Sequence, residues 1–222
     1  MNPQATTKTL PAPGPVARFW RSLKARFRPA PIGTIDAFRT FLEERAALIA
    51  QKCAIDYCRG KTGLASYALF TEKPFLDALD VCRWETFVTV LGDLLIIAEG
   101  SLRQHVTEAQ RPRLSETLVE LYSAVLAAMP APVHRAHGWG DAIESFTQRL
   151  KEANQAEPRQ ALDVADHAAK RLFDTLPIHL SMRELDEEVV YGAVRFRMIA
   201  VSQEMHGRLA TAALTEQLLT AS

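Results

Sequence analysis

The chain lacks any uninterrupted run of the ~18 apolar residues that a membrane-crossing helix requires. Its strongest apolar stretch, Leu91–Ala98, is interrupted by Asp93. An apolar region before a small-residue cleavage site is also missing from the start, so no secretory signal is expected. An Arg-rich, acid-poor start suits an organelle transit peptide, but prolines at positions 3, 11, 13 and 15 speak against one. The three cysteines, Cys53, Cys58 and Cys82, have no zinc-type spacing, which points to reduced thiols in a cytoplasmic setting. Alternating strand patterns are essentially missing.

Catalytic and cofactor motifs are missing as well. The segment CRGKTG (Cys58–Gly63) contains Gly-Lys-Thr, but Ile55 stands where a phosphate loop needs its first glycine. A long helical pattern precedes it, where that loop needs a strand, so Gly60 is expected to be a helix stop. No Gly-x-Ser-x-Gly elbow occurs, and Ser101 in EGSLR lacks the second glycine. There is no HExxH and no Glu-x-x-His pair. Asp163 and His167, spaced i, i+4, make at most half a metal site. Neither a metal nor a cofactor is expected. Acids are absent from the first 30 residues, which carry Lys8, Arg18, Arg21, Lys24, Arg26 and Arg28. The remainder holds 20 basic against 26 acidic residues, so a basic arm precedes an acidic body.

Helical periodicity is what the chain does have, with 48% apolar and 23% charged residues over 222 positions. Residues 1–33 form an arm whose segment 16–28 is amphipathic. Phe19, Trp20, Leu23 and Phe27 alternate there with Arg21, Lys24 and other cations, a pattern suited to anionic lipid. Nucleic acid is disfavoured by the acidic body. Residues 34–212 predict a single-domain all-α bundle of about six helices, and 213–222 a C-terminal tail. The first helix begins after Thr34 as N-cap, the second covers Pro74–Arg103, and the third Ser115–Met129. The fourth, Asp141–Asn154, is capped by Asp141 with Glu144, and the fifth covers Pro158–Leu176. The sixth runs from Ser181 to about Arg208, with Leu185, Val189, Phe196 and Ala200 joined by Tyr191, Val194, Met198 and Met205 on a widely buried surface. Such coverage fits a central helix or a dimer seam.

Two charges fall on apolar helix faces. Arg45 and Asp93 are expected to be buried and to pair with one another, since a lone buried charge is costly. Two inter-helix loops concentrate His, Arg, Trp and Asp. One contributes His134, Arg135, His137, Trp139 and Asp141, and the other Asp174, His179, Arg183 and Asp186. If they meet, they form an anion-binding or acid–base pocket; otherwise His179 and Trp139 pack and cap helix ends.

The stretches IAQKCAIDYCRGKTG, LFTEKPFLDALDVCRWETF, PAPVHRAHGWGDAI and LFDTLPIHLSMRELD resemble a poorly characterised bacterial family of small helical proteins. The resemblance spans roughly Phe38 to Arg197. Some members carry an automated "esterase" label, which nothing in the residues supports. The expectation is a non-enzymatic adaptor or regulatory protein that binds a protein partner or small anion, with self-association open. The alternative is a small helical hydrolase using His134 or His179.

Overall fold

The computed structural model describes residues 30–221. The expected lipid-contacting segment 16–28, with Phe19, Trp20, Arg21, Leu23, Lys24 and Phe27, lies outside them. From Ile32 onward the chain forms one unit. Its helices are α1 (Ile35–Thr62), α2 (Lys73–Leu102), α3 (Arg111–Ala127), α4 (Gly140–Asn154), α5 (Ala161–Thr175), α6 (Glu187–Arg208) and α7 (Thr211–Thr220). One-turn helices occupy Ser66–Leu69 and Leu180–Arg183. No strand occurs among the described residues, and no helix among them is long and apolar enough to cross a membrane. The fold is an all-α bundle.

The central element is α2. Every residue from Glu85 to Gly100 is buried, so this helix is apolar nearly all round rather than on one stripe. Its threonines return their hydroxyls to the helix itself, Thr86 to the Cys82 carbonyl (2.7 Å) and Thr89 to the Glu85 carbonyl (2.8 Å). Helices α1 and α5 pack on α2, and α6 packs on α5 and α1, while α3, α4 and α7 cover the remaining surface. Of the two readings for the helix beginning at Ser181, a central helix or a dimer seam, the central one does not hold, because α6 packs on α5 and α1 through one face.

Several boundaries differ from expectation. Thr34 does cap α1, its Oγ1 accepting from the Ala37 N–H at 3.2 Å. Gly60, however, lies within α1, and the stop is Gly63, with φ of +53° and its N–H donating to Arg59. Lys61 then ion-pairs with Asp186 (2.6 Å), which Tyr57 also hydrogen-bonds (2.9 Å). The expected sixth helix is interrupted around Leu185, and its inward face is Val190, Val194, Met198, Val201 and Met205. Leu185, Val189 and Phe196 are exposed, contrary to expectation. Residues 213–222 are not a tail: α7 buries Leu214 and Leu218 completely, and Thr117 donates to the Leu218 carbonyl. Nor does Ile32 belong to the expected arm of residues 1–33, since it is buried and bridges Leu209.

Candidate functional site

Arg45 and Asp93 do not pair. Arg45 lies on the α6 side of α1 and makes a two-pronged contact with Glu204 (2.8 and 2.7 Å), which Arg208 also reaches. Asp93 is fully buried on α2, facing α4 and α5. Its Oδ1 accepts from Arg149, its Oδ2 accepts from the Ala168 N–H at 3.1 Å, and His167 Nδ1 is 3.6 Å away. The burial expected of Asp93 holds, but its partners come from different helices.

Two helical turns earlier on α2 lies Glu85, the residue onto which the first loop folds. Arg135 donates Nε and Nη2 to its two oxygens (2.7 and 2.8 Å), and His134 Nε2–H donates at 3.0 Å. A second guanidinium, that of Arg171 in α5, also donates to it. Burial alone would raise the Glu85 pKa, but the Arg135 hydrogen bonds and the charges of Arg171 and Arg135 prevail and hold it at about 2. Arg135 is further fixed by both oxygens of Asp141 (2.8 and 2.7 Å) and lies 4.9 Å over the Trp139 ring. Asp141 thus serves as an ion-pair partner, whereas the residue at the N-cap of α4 is Trp139. The Asp141 carboxyl is held below its ordinary range by those hydrogen bonds. His137 is exposed and joins no part of this network.

Between these groups is a cavity of about 210 Å³, lined by Glu85, Thr89, Arg135, Asp141, Arg149, His167 and Arg171 among others. It has room for several waters or one small solute. Gly92 shapes its wall: a Cβ there would stand 3.1 Å from the Phe146 ring, which stacks at 4.4 Å on Tyr122. Arg149 and Arg171 each spend one Nη on a carboxylate, and their remaining N–H groups have no acceptor among the described residues and are not sealed from solvent. Three guanidinium groups and three carboxylates balance in charge, with His134 and His167 able to add positive charge.

The second loop does not reach this cavity. His179 caps the short helix at Leu180, its Nδ1 accepting from the Ser181 N–H (3.3 Å) and meeting the Ser181 hydroxyl. Arg183 is buried, donating Nε to the Ile178 carbonyl (2.9 Å) and stacking 4.7 Å from Phe173. No hydrogen bond or ion pair joins His179 or Arg183 to His134 or Arg135, so the two loops do not build one site. Elsewhere, His206 meets two serines, Ser101 Oγ at 2.9 Å from Nε2 and Ser202 Oγ at 3.2 Å from Nδ1. His206 Nδ1 donates to the Ser202 carbonyl, and no carboxylate among the described residues backs the imidazole. It is a surface tie between α2 and α6.

Sequence reasoning missed Glu85, Arg149 and Arg171. The signal for Glu85 was present: the one acid in RWETFVTV, at the head of the longest apolar run and on the same helix as Asp93. Arg149 and Arg171 carried none, because arginines on amphipathic helices are ordinarily solvated. No protein-family model, curated protein or solved structure matches this chain, so functional inference rests on the geometry of this pocket.

Proposed function

We propose that this chain is a non-enzymatic helical binding protein of adaptor or regulatory type whose α2–α4–α5 pocket takes a small anion. The anion is of the carboxylate or phosphate class, with two or more acceptor oxygens. The observation that carries this reading is the pair Arg149 and Arg171. Each is oriented by a buried carboxylate and retains unspent N–H donors beside the same cavity. A guanidinium fixed in this way loses little further freedom on meeting an oxyanion, and its forked donors fit two oxygens at once. Glu85, held ionised by Arg135 and Arg171, is poorly suited to proton transfer near neutral pH, which favours binding over acid–base catalysis. The basic segment 16–28 would add attachment to anionic lipid on the cytoplasmic face.

Calorimetric titration with inorganic phosphate and with succinate tests the pocket. Either probe is expected to bind the full chain and to raise its melting temperature; at a hundredfold excess over Kd the gain is about 2.7 kcal/mol. Arg171→Gln removes one anion donor while leaving Glu85 its bonds from Arg135 and His134, so binding should fall at least tenfold in a folded protein. No heat and no thermal shift with either probe would overturn the proposal.

A further inference from the structure

The outer face of α6 is apolar in the wrong place. Val189, Phe196 and Ala200 are spaced seven and four residues apart, so they lie on one line along the helix. Val189 and Phe196 are 65% and 73% exposed, and Leu185, just before the helix, is 92% exposed. The opposite face already fills the bundle through Val194, Met198 and Met205. Isolated exposed apolar residues are common, but an aligned stripe with a ring of phenylalanine at its centre is not.

We infer that a second copy of this chain covers this face, α6 against α6, antiparallel about a two-fold axis beside Gly192. Three observations on the helix select that occupant. The first is space. Gly192 flanks the stripe midway between Val189 and Phe196, and a Cβ added there meets nothing within 4 Å. Two helices can therefore approach closely at the axis, where a symmetric contact places a residue against its own copy. The second is charge. Glu188 lies four residues before Gly192 and Arg195 three after it, on the same flank. Antiparallel pairing sets Glu188 of each copy beside Arg195 of the other, twice over. Glu188 is available for this: its side chain is 84% exposed, and its intrachain contact to Arg195 is a long 3.5 Å. The third is the mixture of signs. The flanks carry Glu188 and Arg195, whose Nε is held by Asp166 at 2.6 Å and whose Nη1 faces Glu188, on one side and Arg197, paired with Asp56, on the other. An anionic lipid surface would select cations alone, whereas a self-complementary contact needs both. One helix pair makes a small interface, so the dimer is expected to be reversible, with Kd in roughly the micromolar range.

The test uses the full-length chain in light scattering and native mass spectrometry over a concentration series. A concentration-dependent dimer is expected, and Phe196→Glu should abolish it while leaving the circular dichroism unchanged, because residue 196 is exposed. Gly192→Cys should cross-link to its own copy under mild oxidation. The native thiols at Cys53, Cys58 and Cys82 are buried and should not compete. Gln203→Cys should not cross-link, since antiparallel pairing puts the two positions about 33 Å apart at 1.5 Å per residue. A monomer at every concentration reached overturns the inference, as does a dimer indifferent to Phe196→Glu. Cross-linking at 203 instead of 192 would mean parallel pairing and also defeats it. Binding to anionic vesicles that Phe196→Glu removes, without dimerisation, would make the face a lipid surface instead.

Discussion

Replacing Glu85 by Gln tests whether the network around it is an electrostatic clamp or simple packing. Glutamine keeps the shape and imitates the protonated acid, so the loss in stability measures what ionisation contributes. The native carboxyl is held at about 2, against an ordinary 4.5. At about 1.4 kcal/mol per tenfold, that difference corresponds to about 3.5 kcal/mol. Some discount is needed because Arg171 is 42% exposed and its charge is screened by water, whereas Glu85 itself is 7% exposed. Arg135 keeps Asp141 after the substitution, which limits the damage further. The expected loss at pH 7 is therefore about 2–3 kcal/mol, at or just below the ~3–5 kcal/mol for breaking a fully buried ion pair, as suits a partly exposed network. The pH dependence follows from the depressed native pKa. The contribution is fully present above the unfolded value of 4.5 and declines as pH falls through the native value near 2. Urea unfolding followed by circular dichroism at pH 7, 5 and 3 gives the comparison. The gap between wild type and Glu85→Gln should stay constant from pH 7 to 5 and narrow by pH 3. A loss below about 0.5 kcal/mol at pH 7, or a gap that ignores pH, would refute the clamp.

The two glycines at the end of α1 should respond in opposite directions. Gly60→Ala is expected to stabilise by about 0.5–1 kcal/mol, since Gly60 is helical and a Cβ there meets nothing within 4 Å. Gly63→Ala should destabilise by about 1 kcal/mol, because its positive φ strains any other residue; equal effects in urea titrations would contradict the placement of the helix stop. Burial pushes the thiols of Cys53, Cys58 and Cys82 up to about 11, 12 and 11. An Ellman assay at pH 8 should therefore find no reactive thiol in the native protein and all three in denaturant. Fast labelling of any one before unfolding would show that helix packing around it opens.

How much of this was legible before the structure depended on whether local pattern or tertiary pairing decides the feature. The all-α class, the Thr34 cap and the burial of Asp93 follow from helical periodicity and from the cap position, which one chain carries in full. The ion-pair partners do not. Asp93 could be seen to need a cation, but the choice between Arg45 and Arg149 depends on which helix faces which. That is fixed by packing of α4 and α5 on α2. The same limit applies to the two His-bearing loops. Their compositions are alike, yet Glu85 gathers His134 and Arg135 while His179 and Arg183 close a helix end of their own. Gly60 and Gly63 are separated by only three residues, and either suits a helix end. The backbone dihedral that chooses Gly63 is set by the turn into Ser66–Leu69.

The helices α2 and α6 show why apolar coverage alone cannot assign a central helix. In α2 the coverage is consumed, since neighbours surround it from Glu85 to Gly100. In α6 the same reading is ambiguous, because Val189 and Phe196 compete with Val194 and Met198 for the inward direction. Val194 and Met198 occupy it, where α5 and α1 supply partners. The losing stripe retains its hydrophobic cost in water, and nothing within the described chain removes that cost. Burying a valine and a phenylalanine from each copy offers about 1.5–3 kcal/mol per side chain, against the several kcal/mol lost in association. Those magnitudes set the scale of a weak, reversible dimer rather than an obligate one. They also explain why α6 can fold onto the bundle without a partner: its inward stripe packs against α5 and α1, while its outward stripe stays exposed.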